Sequence, residues 1–159
     1  MKTAVVFAST HGCVETCAGK LAEKLNGEVH RFDLKDKPSV DLASYDRIVI
    51  GGSIHAGRIQ GTVRRFIDSN REALSGRKFG LFLCCMEKGE GAQKEFEAVF
   101  PEDIRQKASA VGLFGGGFNF EKMNFVTKAI VKKIAKTDKS VSNIDEAAIV
   151  RFAEKISRD

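Results

Sequence analysis

The sequence predicts a doubly wound α/β domain, in which a parallel β-sheet is covered by helices on both faces. Three observations predict it. Short apolar runs alternate along the chain with segments of helical period. Several of those runs, such as Ile48-Val49-Ile50, are apolar at consecutive positions, as a strand buried on both faces requires. The first run, Ala4-Val5-Val6-Phe7-Ala8, breaks directly into a hydroxyl- and glycine-bearing turn, Ser9-Thr10-His11-Gly12, and then into a helical pattern.

Each element follows from the same reasoning. Strand-like runs rich in Val, Ile, Leu and Phe occupy residues 3–8, 29–34, 47–50, 78–85 and 110–114. Helix-period segments fill the intervals at 14–25, 63–74, 92–100 and 126–135, and a last one covers 144–156. Asn143 is expected to cap that last helix, with Glu146 three positions on as its capping-box partner. Within 126–135, Val126, Ile130 and Ile134 share one face, with Met123 three positions earlier, and most of that face is expected to be core. Lys128, Lys132 and Lys136 form an offset stripe.

A length of 159 residues, with neither linker nor repeat, is expected to fold as one domain over 1–159. The apolar run at the N-terminus is too short for a signal segment or a span, which predicts a cytoplasmic protein. Four cysteines, Cys13, Cys17, Cys84 and Cys85, lack the density of a secreted disulfide framework and agree with a reducing compartment. The net charge of +5 is concentrated: residues 121–139 hold six lysines against two acids, a net of +4. That cluster reads either as a solvated helix face or as a patch for anionic lipid, an anionic substrate or an acidic partner. Nucleic acid is excluded as a partner, since no aromatic-interleaved basic array accompanies the lysines.

In a doubly wound fold the ligand sits at the carboxyl ends of the strands. Residues 9–14, 51–58, 84–91 and 115–120 leave those ends and are the site candidates. The first loop has the makings of a phosphate pocket: a helix N-terminus offers unpaired N–H groups and partial positive charge, and Ser9 and Thr10 add hydroxyls. Nucleoside-triphosphate and dinucleotide loops fail on spacing. Six residues separate Gly12 from Gly19-Lys20 where the former needs four, and the latter needs three spaced glycines. A ligand with a single phosphate fits better.

The loop Ser9-Thr10-His11-Gly12-Cys13-Val14, together with Gly51-Gly52-Ser53-Ile54-His55-Ala56-Gly57 after the third strand, resembles the FMN site of flavodoxins. The resemblance implies a flavodoxin-like sheet of order 2-1-3-4-5 and a single FMN. The first loop would hold its phosphate, and Ser53, Ile54, His55, Ala56, Gly57 and Arg58 on one side and Cys85, Met86 and Glu87 on the other would flank its ring. Within that family, Tyr45-Asp46-Arg47-Ile48-Val49-Ile50-Gly51 and a late Phe- and Lys-rich helix are similar to the short quinone-dependent protoporphyrinogen oxidases of bacteria. That likeness implies oxidation of protoporphyrinogen IX with quinone as acceptor. Phe118, Phe120, Lys122, Phe125, Lys128 and Lys132 would meet substrate propionates or anionic headgroups, at the inner face of the membrane.

The departures from the flavodoxin pattern are specific. His11 and Val14 stand where the family carries hydroxyls, and the ring-stacking aromatics are missing, since the chain has no Trp and its one Tyr, Tyr45, precedes the third strand. Basic charge at Arg58 favours a reduced flavin, which suits oxidation of an organic substrate better than the delivery of strongly reducing electrons. Three functions follow as expectations: an FMN-dependent oxidoreductase, a flavodoxin-type electron carrier with a redox protein partner, and a flavin-free regulatory module on the same scaffold. No catalytic acid–base pair is expected. No metal is expected either, because Cys13 and Cys17 lack a second ligand pair, whereas Cys13 at a helix N-terminus is a candidate redox-sensitive thiol. Cys84 and Cys85 are expected to supply one core residue and one loop thiol.

Overall fold

Residues 1–137 and 139–158 are described by the computed structural model, with the side chain of Lys122 outside the described set. Five strands form the parallel sheet: β1 (Lys2–Phe7), β2 (Glu28–Asp33), β3 (Arg47–His55), β5 (Lys78–Cys84) and β6 (Ala110–Leu113). A two-residue strand, β4 (Arg58–Ile59), folds back antiparallel on the end of β3. The sheet order is β2-β1-β3-β5-β6, which is 2-1-3-4-5 when only the parallel strands are counted. The central strands β1, β3 and β5 are buried on both faces, as their continuous apolar runs require.

Two apolar layers clothe the sheet. Helices α1 (Cys13–Lys24) and α7 (Glu146–Ser157) cover one face through Val14, Cys17, Leu21, Ile149, Phe152 and Ile156. The other face is covered by α2 (Gly61–Ser69), α3 (Arg71–Ser75), α4 (Gly89–Val99) and α5 (Glu102–Lys107), through Val63, Phe66, Leu74, Phe96 and Ile104. Each large aliphatic or aromatic side chain so buried contributes about 1.5–3 kcal/mol relative to exposure.

Four expectations are corrected. The segment 63–74 is two helices, because the backbone turns out of helical geometry at Asn70 (φ −118°, ψ 15°), whose Nδ2 donates to the Phe66 carbonyl. Asn143 does not cap the last helix. It lies in β8 (Val141–Ile144), opposite Gly116 of β7 (Gly115–Phe118), and the cap is Asp145, whose Oδ1 accepts from Ala148 N at 2.9 Å. Residues 115–120, expected simply to leave the end of the fifth strand, instead join an antiparallel pair close against the end of β5. A Cβ at Gly116 would lie 2.6 Å from the Cys85 backbone, so only glycine fits there.

The fourth correction concerns α6 (Phe125–Ala135), inserted between β7 and β8. Its apolar face is not core: Val126, Ile130 and Ile134 are 66%, 53% and 76% exposed. Only Met123, ahead of the helix, is buried. The lysine side turns inward instead, with the Lys128 and Lys132 ammonium groups 5.9 and 5.6 Å from the centre of the buried Phe120 ring.

At the end of the sheet away from the site, one buried cation joins four elements. Arg47 donates to Thr3 Oγ1, Ser157 Oγ and both the carbonyl and Oδ1 of Asn26, at 2.7–3.0 Å, and burial lowers its pKa. Arg47→Ala strands those acceptors in a closed space and is expected to cost about 2–4 kcal/mol. Urea unfolding of the variant measures this, and a loss within about 0.5 kcal/mol, the size of an ordinary surface change, would show that the network is only decorative.

Candidate functional site

The carboxyl ends of β1 and β3 part where the chain order reverses, the position at which open α/β sheets bind ligands. After β1, Gly12 takes a left-handed conformation (φ 85°) as the N-cap of α1, which leaves the first turn of the helix facing the loop. Ser9 Oγ accepts from Gly12 N at 3.1 Å and Glu15 N at 3.3 Å, and Thr16 Oγ1 donates to the Gly12 carbonyl at 2.9 Å. This holds the loop in the shape of an anion cradle. His11 Nδ1 is buried with no hydrogen-bond partner among the described residues.

After β3 the chain makes a tight reversal into β4, with positive φ at Ala56 (50°) and Gly57 (72°). Ala56 pays for that conformation with strain of about 1–3 kcal/mol, a mark of positions that are fixed by their surroundings. The His55 and His11 rings meet edge-on at 5.3 Å and 76°. Burial lowers the pKa of both, and at His55 the neighbouring His11 lowers it further, so both imidazoles are neutral near pH 7.

Gln60, absent from the sequence-based site, joins the two loops. Its Oε1 accepts from Ser53 N at 2.9 Å, and its Nε2 donates to the Ala8 carbonyl at 3.1 Å and to Ser53 Oγ at 2.8 Å. The same Nε2 lies 3.5 Å from Thr10 Oγ1. Ser53 Oγ, which accepts from Gln60 Nε2, also lies in hydrogen-bond contact with His55 Nε2 at 2.9 Å. The one sequence signal for Gln60 is its place as the residue immediately before α2, on the return from the β3 turn.

These residues enclose a narrow groove of about 60 Å³. Ser9, Thr10, His11, Cys13 and Val14 border it on the first-loop side, facing Ser53, Ile54 and His55, with Cys85 and Met86 beyond. Cys84, Gly116 and Gly117, absent from the predicted set, also line it. Ala56, Gly57, Arg58 and Glu87 lie outside the lining, the first three on the exposed turn. Cys85 is a buried thiol rather than a loop thiol, and burial pushes its pKa up to about 12.

A second cavity of about 360 Å³ lies on the other side of His11 and Cys13, bounded by Thr16, by Gly117 to Asn119 and Glu121, and by Ser140 to Ser142. Of the described aromatic and basic side chains expected to meet a substrate, Phe118 alone borders either cavity. Phe120 is buried beneath Lys128 and Lys132, Phe125 is 87% exposed at the start of α6, and the Lys122 side chain lies outside the described residues.

FMN fits the phosphate end of this groove: a glycine-capped helix N-terminus, two hydroxyls and a buried imidazole nitrogen without a partner suit a phosphate monoester. At the ring end the enclosed space is about 60 Å³, with the exposed turn at 56–58 beside it.

The sequence model of the flavodoxin domain matches residues 4–145. A protoporphyrinogen IX dehydrogenase [quinone] of Leishmania major is 24% identical over 168 residues, spanning 96% of this chain and 73% of that protein. Among solved structures, oxidised flavodoxin 1 of Bacillus cereus superposes with a TM-score of 0.59 at 20% identity, over 98% of this chain and 97% of that one. A flavodoxin from the domain Archaea superposes with a TM-score of 0.58 at 17% identity, over 99% and 100%.

Gln60→Leu keeps the volume but removes every bond of the amide. It is expected to cost about 1–3 kcal/mol and to raise amide hydrogen exchange in residues 9–12 and 53–60 while the interiors of β1 and β5 stay protected. Unchanged exchange in those two loops would mean that each holds its shape alone.

Proposed function

Because the chain belongs to the flavodoxin family, whose domain model matches residues 4–145, we propose that it is an FMN-dependent oxidoreductase acting on protoporphyrinogen IX or a similar reduced organic substrate, with quinone as acceptor. The relative from Leishmania major supports the substrate and acceptor. The observation that carries the reading is the outward apolar face of α6, Val126, Ile130 and Ile134, beside the hairpin that borders the second cavity. Porphyrinogens and quinones are lipophilic, and an enzyme drawing on them gains from a face that rests on a lipid surface. Lys133 and Lys136 on the same helix are exposed and suit anionic headgroups. No helix among the described residues is long and apolar enough to cross a membrane.

The residues divide the work. The α1 N-terminus, Ser9, Thr10 and His11 hold the phosphate; Gln60 fixes the two loops relative to each other; His55 and Met86 flank the ring. Bound FMN supplies the two-electron chemistry. Neutral His55 keeps the ring edge in a polar but uncharged setting. Electron carriage on the same flavin is the second reading, supported by the flavodoxin neighbours that match this chain end to end. The readings part on turnover, since a carrier gives none with a porphyrinogen and a quinone.

Titration of the protein with FMN is expected to give one bound flavin, and no binding at micromolar FMN would leave the flavin-free module. Affinity is expected to rise as pH falls from 8.5 to 6.5. Burial lowers the His11 pKa in the free protein, and a phosphate dianion beside it raises that pKa, so binding takes up a proton. Each pKa unit so gained is worth about tenfold once pH lies below both values. His11→Ala flattens the profile; a variant that keeps the slope would assign the proton elsewhere.

Co-sedimentation with phosphatidylglycerol vesicles tests the α6 face. The double variant Ile130→Glu, Ile134→Glu is expected to lose most vesicle binding while its FMN titration is unchanged, and undiminished sedimentation would remove the lipid surface from the reading.

A further inference from the structure

Three thiols converge beneath the first loop. Cys13 is the first residue of α1, Cys17 lies one turn further, and Cys84 ends β5; their Sγ atoms all lie within 4.8 Å of one another. All three are free thiols. Cys17 and Cys84 are 0% and 2% exposed. Cys13 is half-buried and borders both the groove and the second cavity. One thiol is therefore reachable from outside, and two partners wait behind it at short range.

We propose that Cys13 is a site of reversible oxidation by hydroperoxides, with Cys17 or Cys84 as the resolving thiol. The Cys13 thiolate attacks one oxygen of hydrogen peroxide, the O–O bond breaks, and a sulfenic acid forms as hydroxide leaves and is protonated to water. The neighbouring thiol then attacks the Cys13 sulfur. The S–O bond breaks, the S–S bond forms, and the hydroxyl leaves as a second water with the thiol's proton. Two thiols and one peroxide give one disulfide and two waters.

The surroundings favour the first step. The neighbouring Cys17 and Cys84 thiols and the Gly117 backbone bring the Cys13 pKa down to about 4, while that of Cys17 rises to about 12. The α1 N-terminus adds partial positive charge. The second step is within reach for either partner. Helix positions four apart have Cα atoms about 6 Å apart, inside the disulfide range, and Cys84 Sγ is no further than the 4.8 Å limit of the cluster. The bond would tie down the residue next to the Gly12 cap and so lock the loop that cradles the phosphate. This inference stands apart from the flavin reading and is tested without flavin.

The reduced protein is treated with graded hydrogen peroxide, alkylated with N-ethylmaleimide in denaturant, digested with trypsin and weighed. The expected product is either the Thr3–Lys20 peptide lighter by two hydrogens, or that peptide joined to Phe79–Lys88, in each case restored by dithiothreitol. Cys13→Ser abolishes the bond and leaves Cys17 and Cys84 fully alkylated, whereas Cys85→Ser leaves it intact. Circular dichroism confirms that each variant folds, and Cys13→Ala serves if Cys13→Ser does not. Three results would overturn the proposal: full alkylation of all four cysteines after peroxide, a sulfinic Cys13 with both neighbours still alkylated, or a Cys17–Cys84 bond formed in the absence of the Cys13 thiol.

Discussion

The site depends on one amide. Two neighbouring parallel strands, β1 and β3, end at the same edge of the sheet, and nothing in a parallel ladder fixes the loops that leave them. Gln60 supplies that link by using both ends of its side chain, accepting from Ser53 N and donating to the Ala8 carbonyl. A Glu here would lose the donor, and an apolar residue would lose both and leave half-buried backbone groups without partners. Each bond is worth about 0.5–1.5 kcal/mol net, but the cost of stranding its partner is larger, so Gln60 ties the two loops together at Ala8 and Ser53.

The two ends of the sheet are built for opposite purposes. At the amino end, Arg47 joins β1, β3, Asn26 in the turn after α1 and the last residue of α7, with every guanidinium nitrogen used. At the carboxyl end, the turn after His55 is exposed and held at positive φ on a non-glycine residue, and the groove beside it is narrow. Rigidity is concentrated away from the ligand. The turn beside the groove is exposed and carries the backbone strain at Ala56.

How much was legible in the sequence divides along the same lines. The central strands β1, β3 and β5 were readable because burial on both faces leaves a continuous apolar run, whereas the order of the sheet came from the likeness to flavodoxins. The β7–β8 pair was not. Gly115-Gly116-Gly117 and Ser142-Asn143 carry neither alternation nor apolar weight, and their pairing rests on close backbone approach, which propensity does not record. That pair also displaced the helix cap from Asn143 to Asp145. In α6, periodicity correctly grouped Val126, Ile130 and Ile134 on one face, but a period has no sign: it does not say on which side the protein lies. The structure puts Phe120 under the lysines, and the apolar face turns outward. Gln60 escaped because its only signal is its place just before α2, and position alone does not show what its amide bonds.

The departures of the first loop from the flavodoxin pattern acquire a common meaning once the loop is seen in place. Val14, where the family carries a hydroxyl, is almost wholly buried and joins the core beneath α1. The loop has exchanged a side-chain donor for packing, and His11 offers a nitrogen whose charge depends on what lies beside it. A phosphate held here is gripped mainly by backbone N–H groups at the helix N-terminus, whose strength depends on the direction in which the chain points rather than on which side chains it bears. Chain direction in this loop is what Gln60 and Ser9 fix. It is also what a bond at Cys13, one residue past the cap, would fix for as long as the bond persists. Affinity, selectivity and sensitivity to oxidation at this site therefore converge on the geometry of residues 9–13.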